Sequence, residues 1–332
     1  MPELVSIVVP CLNEQDNVGP LYERVRATLD GVGVEWELIF SLDPCTDGTE
    51  DAIASLRATD GRVKMLRLSR RFGQPAATIA GMAAAGGDAV VVIDCDLQDP
   101  PELIADLIAK WREGFDVVYA QRRNREGETL VKRTVAATGY KVIRRVAEVA
   151  IPPNTGDFRL MSRRVVDEVL RLGETHGFLR GLVAVVGFRQ AAVQYDRDAR
   201  VAGDAHYNRF LGSLRIGLNG IVGFSRYPLQ VISMIGFAIF GLAMVLAFTY
   251  LGLKIAGVDI IWGNPTLVII ISFFSGVQLL SLGVMGEYVG RIYDEVKRRP
   301  MYIVDVTEGF EGDFRDDLGL LRRDGIPTNP EA

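Results

Sequence analysis

Residues 89–104 read AVVVIDCDLQDPPELI. Ala89–Ile93 is apolar without alternation, as a strand buried on both faces must be, and such strands belong to parallel sheets. The run breaks at Asp94-Cys95-Asp96, a polar turn. Pro100-Pro101 closes that turn and opens a helix over 101–113, because the fixed φ of proline suits a first helical turn. One strand, one turn and one helix start thus occupy sixteen residues. The same rhythm runs upstream: a strand at Val5–Pro10, a helix at Asn17–Leu29, a strand at Trp36–Leu42, a helix at Thr49–Ala58, a strand at Val63–Leu68 and a small-residue helix at Pro75–Ala85. Downstream, Val117–Ala120 is the next strand. Strands alternating with helices imply an α/β fold, a mostly parallel, Rossmann-like sheet with helices on both faces. Ligands of such sheets sit at the carboxyl ends of the strands. Pro10-Cys11-Leu12-Asn13-Glu14, Asp43 and Asp94-Cys95-Asp96 all fall there.

Further along, Leu130–Ala150 reads as a long helix and Asn154–Met161 as a loop leading into a strand. A helix near Arg164–Leu172 and a β-like stretch at Gly187–Tyr195 follow. Tyr207–Phe224 carries Arg209 and Arg215 among apolar residues, which suits a helix lying in a membrane interface. Pro228–Leu253 is 26 residues without a formal charge, and Pro265–Gly286 is 22. Each is long enough for a hydrocarbon core of about 30 Å. Arg226 precedes the first; Arg291, Lys297, Arg298 and Arg299 follow the second; the connection holds only Lys254 and Asp259. The excess of flanking cations places both ends in the cytoplasm. The expected organisation is a catalytic domain over 1–206, an interfacial helix over 207–226, two transmembrane helices within 227–290 (about 228–253 and 265–288) and a cytosolic tail over 291–332. Gly236, Gly241 and Ala243 would permit close helix packing and a homo-oligomer.

Composition agrees. Of 332 residues, 48% are hydrophobic and 24% charged, which excludes disorder. The mean hydropathy of +0.18 is high for a wholly soluble chain. A net charge of −5 argues against a nucleic-acid partner. Against that acidic mean, residues 121–145 hold eight Lys and Arg and two Glu: a solvated helix face or a surface for an anion. Three cysteines, none in a CxxC pair, and two histidines leave no disulfide framework and no zinc set. Met1–Pro10 lacks the basic n-region of a secretory signal, which keeps the first domain in the cytosol.

Two carboxylates two residues apart at a strand end, with Gln98 adding an amide oxygen, suit a hard divalent cation; a helix-capping run is the alternative. Asn13 and Glu14 read as site residues or as a cap for the next helix. Arg70–Gln74 reads as pocket lining or a solvated turn. The cysteines read as small packing residues.

The stretches VSIVVPCLNEQDNV (5–18), DPCTDGT (43–49), RRFGQPAATIAGM (70–82), DCDLQDPPELI (94–104), NTGDFRLMSR (154–163) and the terminal hairpin together resemble family-2 glycosyltransferases of the polyprenyl-phosphate type. The nearer likeness is to bacterial GtrB-like bactoprenol glucosyltransferases, the more distant to dolichol-phosphate mannose synthases. The resemblance implies a GT-A fold and inverting transfer of a sugar from a nucleotide donor to polyprenyl phosphate at the cytoplasmic face of the plasma (inner) membrane. UDP-glucose is the favoured donor, with GDP-mannose or another UDP-sugar as alternatives, and Mg²⁺ or Mn²⁺ the cation. It assigns nucleotide-sugar contacts to Pro10, Leu12, Glu14, Asp43, Asp94 and Arg200, and the metal to Asp94, Asp96 and Gln98. Asp157 would stand beside the reacting atoms as the candidate base, and Arg122 and Arg133 would meet the acceptor phosphate. A phosphate monoester with a second pKa of about 6 needs little help from a base, so Asp157 would orient the acceptor or hold metal as much as take a proton. A salt bridge to Arg159 or another arginine is the alternative for it.

Two positions depart from the family pattern. Leu42 precedes Asp43 where relatives carry a second acid, and His206 stands where they often carry lysine. A processive polysaccharide synthase would need a Gln-x-x-Arg-Trp motif, and tryptophan occurs only at 36, 111 and 262. A dinucleotide oxidoreductase would need a G-x-G-x-x-G after a strand, and there is none. A catalytically silent scaffold would be expected to lose Asp94, Asp96 or Asp157, and all are present.

Overall fold

The computed structural model describes residues 3–123, 152, 155–174, 179–196, 227–256 and 264–310. The elements in chain order are β1 (Leu4–Cys11), α1 (Gln15–Val32), β2 (Glu35–Leu42), α2 (Thr49–Thr59), β3 (Val63–Leu68), α3 (Gln74–Ala84), β4 (Ala89–Val92), α4 (Leu103–Arg112), β5 (Val117–Arg122), β6 (Thr155–Ser162), α5 (Arg163–Leu172), α6 (Leu179–Val186), β7 (Gln190–Tyr195), α7 (Tyr227–Ile255), α8 (Asn264–Val296) and β8 (Val304–Glu308). The expected helices at 130–150 and 207–224 lie outside the described residues.

The chain divides into two compact units. The first holds one eight-stranded sheet in the order β7-β5-β6-β4-β1-β2-β3-β8. β1 pairs in parallel with both β2 and β4, β2 with β3, and β5 with β7; β6 runs antiparallel between β4 and β5. The α/β reading therefore holds, with β6 inserted antiparallel and β8 added antiparallel at one edge.

Period-two alternation sorts the strand residues between the faces. Val5, Ile7 and Val9 of β1 join Val18, Leu21, Val25 and Leu29 of α1 and Ile104, Leu107 and Ile108 of α4 in one core. The α1 positions recur at helical spacing, so one stripe is buried. Gly33 ends α1 at φ 72°, donating its N–H to the Leu29 carbonyl. α3 packs on β1 and β2. Its sequence, QPAATIAGMAA, lets the backbone approach closely, and a side chain at Gly81 would run into Val8. Gly81→Ala is expected to cost about 1–3 kcal/mol through overpacking, read as a lower midpoint of thermal unfolding.

β8 had no counterpart in the sequence reading, which found no element beyond Met301. It pairs antiparallel with β3, Met65 opposite Glu308 and Leu68 opposite Val304. Arg67 reaches Glu50 at 2.9 Å and Asp305 at 2.7 Å, Arg57 pairs with Glu308, and the Ser69 N–H donates to the Ile303 carbonyl at 2.9 Å. The strand covers an edge of β3 that would otherwise expose unpaired backbone groups.

The second unit contains α7, of 29 residues, and α8, of 33. α8 continues past the expected end at 288 to Val296. Met234, Phe237, Phe240 and Phe248 on α7, and Leu279 and Leu280 on α8, are exposed. Among the described residues, no helix is long and apolar enough to cross a membrane. Several side-chain positions within α7 and α8 lie outside the described residues.

Candidate active site

β1 pairs with β2 on one side and β4 on the other, so the chain's path reverses direction between β1 and β4. A crevice opens at the carboxyl ends of two such strands because their connections leave in opposite directions. The turns leaving β1 and β4 carry Leu12-Asn13-Glu14 and Asp94-Cys95-Asp96.

The β1 and β2 turns are knitted together. Asn13 takes φ 57°, a conformation asparagine tolerates, and its side-chain oxygen accepts the Thr46 N–H at 2.8 Å. The Glu14 N–H donates to Thr49 Oγ1 at 2.8 Å and the Gly48 N–H to Gln15 Oε1 at 2.8 Å. Glu14 stands at the helix N-cap but makes no side-chain capping bond; its carboxylate accepts Asn17 Nδ2 at 2.6 Å. The capping alternative for Glu14 is therefore not what the fold uses.

Asp43 is buried, 2% exposed. Its carboxylate accepts the N–H groups of Phe72 and Gly73, each at 2.9 Å. Gly73 has φ 96°, which favours glycine, and opens α3. Gln74 donates from Nε2 to Asp94 Oδ1 at 2.7 Å. The 70–74 segment thus bridges Asp43 and Asp94, which favours pocket lining over a solvated turn. Leu97 sits at φ 56°, an uncommon conformation for leucine, and bends the chain so that the Gln98 N–H donates to Asp96 Oδ1 at 3.1 Å. Asp96 is buried, and Asp94 and Gln98 are half-buried.

Asp157 lies in β6 rather than in a loop before a strand. The antiparallel register sets Val92 opposite Arg159. Asp157, two residues before Arg159, thus lies in the strand beside the one that leads into Asp94. The Asp157 carboxylate accepts Arg180 Nε at 2.9 Å, and both side chains are 30% exposed. Burial pushes its pKa up, but Arg180, Arg159 and Arg122 outweigh that and hold it below the ordinary carboxylate range. Arg159 is buried, donates to the Gly156 carbonyl at 2.8 Å, and has its pKa lowered to about 10, chiefly by desolvation. The ion pair envisaged for Asp157 is thus present, with Arg180 as the partner.

Arg122 ends β5 opposite Tyr195 of β7. Its Nε donates to Tyr195 Oη at 3.1 Å. Arg133, Arg200 and His206 lie outside the described residues. Cys11 and Cys95 are buried, and burial pushes the Cys11 thiol well up, as suits packing residues rather than nucleophiles. Asp99, Arg180 and Tyr195 are side chains here that the sequence did not point to. Asp99 stands inside the DCDLQDPP stretch; Arg180 and Tyr195 have no local signal.

Among the described residues, no group of three or more His, Cys, Asp or Glu side chains could hold a metal. The set at hand is two carboxylates and one amide, all hard oxygen donors. That chemistry fits a hard divalent cation, with further oxygens supplied by a bound ligand.

Strand order defines the class: an α/β protein with a topological switch point between β1 and β4, the place where such sheets bind ligands. The chain belongs to the family-2 glycosyltransferases, whose family model, Glycosyl transferase family 2, matches residues 6–170. It is a transferase enzyme. It is 45% identical over 306 residues to the uncharacterized glycosyltransferase YkcC of Bacillus subtilis (strain 168), covering 92% of this chain and 94% of that protein. It is 40% identical to the bactoprenol glucosyl transferase of Shigella phage SfII, covering 90% and 97%. It is 38% identical to the prophage bactoprenol glucosyl transferase homolog of Escherichia coli (strain K12), covering 90% and 98%.

Proposed function

We propose that the enzyme transfers a sugar, with inversion, from a nucleotide-sugar donor to polyprenyl phosphate at the cytoplasmic face of a membrane, with UDP-glucose as donor. The observation that carries this is that residues 72–74 tie Asp43 to the turn holding Asp94 and Asp96 at the strand ends, with Asp157 in the strand beside β4. Relatives named for bactoprenol glucosyl transfer, similar over nine-tenths of the chain, support the acceptor. Pro10, Leu12, Glu14 and Asp43 would bind the nucleotide, and Asp94, Asp96 and Gln98 a divalent cation. That cation supplies charge stabilisation to the leaving diphosphate. Arg200 would add to it. Arg122 and Arg133 would hold the acceptor phosphate as charged donors. Asp157 would orient the acceptor. A single displacement by the phosphate oxygen gives the inverted product.

The membrane reading rests on the uncharged runs 228–253 and 265–286 within helices of 29 and 33 residues. The full sequence carries this, since side chains within both helices lie outside the described residues and the described ones alone make no span; at about 1.5 Å per residue the uncharged runs exceed a hydrocarbon core of about 30 Å. β8 adds a topological argument. The chain returns after α8 to the sheet that it left before α7, so any crossing must occur an even number of times.

Asp157 bears on pH dependence. A folded pKa below the unfolded one means that this group contributes stability above its unfolded pKa, lost as pH falls through the folded value. It stays ionised throughout the neutral range and produces no activity limb there. The kcat/KM for lipid phosphate is therefore expected to rise with a midpoint near about 6, the second ionisation of the acceptor. Asp157→Asn should lower the height of the profile and leave the midpoint in place. A midpoint that moves with this substitution would assign the titration to Asp157.

The reading is tested by incubating the full-length protein with polyprenyl phosphate, Mg²⁺ or Mn²⁺, and labelled nucleotide sugars. Organic-phase label from UDP-glucose, abolished by EDTA, is expected. Label from GDP-mannose alone would replace the donor; none from any donor would overturn the reading.

A further inference from the structure

The DCDLQDPP turn contains a third carboxylate. Asp99 is 1% exposed and points to a different task from Asp94 and Asp96. Tyr195, from the edge strand β7, donates its hydroxyl hydrogen to Asp99 Oδ1. The same hydroxyl accepts Arg122 Nε at 3.1 Å. Arg122 Nη2 stands 3.6 Å from Asp99 Oδ1. Glycine at 156 leaves the guanidinium its room: a Cβ there would come within 3.3 Å of Arg122 Nη2 and 3.8 Å of Asp99 Oδ2. The Tyr195 ring is fixed edge-on against Phe158, with centroids 6.5 Å apart. Phe158 is buried in β6, next to Asp157.

We infer that Asp99 and Tyr195 are positioning residues that hold the Arg122 guanidinium for the acceptor phosphate. The inference rests on the acceptor reading above. An arginine side chain loses much rotamer freedom when it is held in one place. Here the buried carboxylate and the phenol take that cost in folding, before substrate arrives. A preorganised fork binds a phosphate more tightly than a mobile one. The arrangement also ties the donor-side turn to the acceptor-side cation: Asp99, which meets Arg122, follows Gln98, whose N–H donates to Asp96. Burial and the neighbouring Asp99 raise the Tyr195 pKa to about 12, so the phenol stays protonated and keeps both roles, donor to Asp99 and acceptor from Arg122.

The test is steady-state kinetics on the full-length enzyme with polyprenyl phosphate and UDP-glucose, for wild type, Tyr195→Phe, Arg122→Ala and the double variant. Phenylalanine keeps the ring contact with Phe158 and removes only the hydroxyl. Tyr195→Phe is expected to raise KM for the lipid phosphate about tenfold, as loss of a hydrogen bond to a charged group does. The Kd for UDP-glucose, by calorimetry, should not move. In the Arg122→Ala background, Tyr195→Phe should add nothing to KM, because the side chain that it positions is gone. An unchanged lipid KM, an equal rise in donor Kd, or additive effects in the double variant would each overturn the inference. Wild-type enzyme inactive on polyprenyl phosphate would instead remove the acceptor reading, and this inference with it.

Discussion

Asp96→Ala is expected to lower sugar transfer by about a thousandfold or more. Asp96 is 8% exposed, and one of its oxygens is engaged by the Gln98 N–H, so its position is set by the turn rather than by solvent. The Leu97 backbone at φ 56° produces that turn. Such a conformation persists only when surrounding structure over-determines it, and Leu97 is itself buried in the core. The substitution removes a negative charge from a place where a leaving diphosphate would need a bound cation. Asp96→Asn keeps the volume and discards the charge, and separates folding from chemistry. Both variants should melt near the wild-type temperature, and the residual rate of each should no longer respond to added Mn²⁺. Near-normal turnover by Asp96→Ala would remove Asp96 from the proposed metal set.

Asp157→Asn is expected to lower kcat about a hundredfold while donor affinity is retained. The physical case is positional. β6 is inserted antiparallel between β4 and β5, so Asp157 lies in the strand beside the one that leads into Asp94. Arg180, Arg159 and Arg122 surround it and keep it ionised. A carboxylate so stabilised is a weak base, and its use lies in holding charge and orientation. The competing account is that Asp157 merely anchors α6 through Arg180. With both partners 30% exposed, such a pair contributes at most about 1 kcal/mol. The anchoring account therefore predicts a small drop in melting temperature and nearly full activity. A large drop in kcat with an unchanged melt separates the two.

A fragment ending after Arg226 would lose more than α7 and α8. It would also lose β8, and with it the pairing to β3 and the contacts of Arg57 and Arg67 with Glu308 and Asp305. β3 leads directly into the 70–74 segment that joins Asp43 to Asp94. Activity lost from such a fragment thus has two physical sources, the removal of α7 and α8 and the opened sheet edge.

Much of the fold was legible because parallel strands are buried on both faces and announce themselves as apolar runs. Val63–Leu68 is a strand with the boundaries read from sequence, and the other strands of the first half differ by one or two residues at their ends. The crevice was legible for a related reason. In an α/β sheet, polar residues that directly follow such runs are carried to one edge, so Asp43, Asp94 and Asp96 could be grouped before any coordinates existed. Asp157 was singled out by resemblance alone. Its own neighbourhood, NTGDFRLM, read as a loop, because Asn154, Gly156 and Asp157 are poor strand formers. Pairing with β4 and β5 overrode that preference.

By itself, the sequence determined which segments become strands and helices, and which polar residues ride on the strand ends; both follow from periodicity and burial over a few neighbouring residues. Tertiary structure alone decided which distant residues meet: Asp157 with Arg180, Arg122 with Tyr195 and Asp99, and β8 with β3. Those meetings depend on strand order, direction and register. Register is set by the packing of a whole sheet against its helices, a condition spread over the chain and written in no single stretch of it.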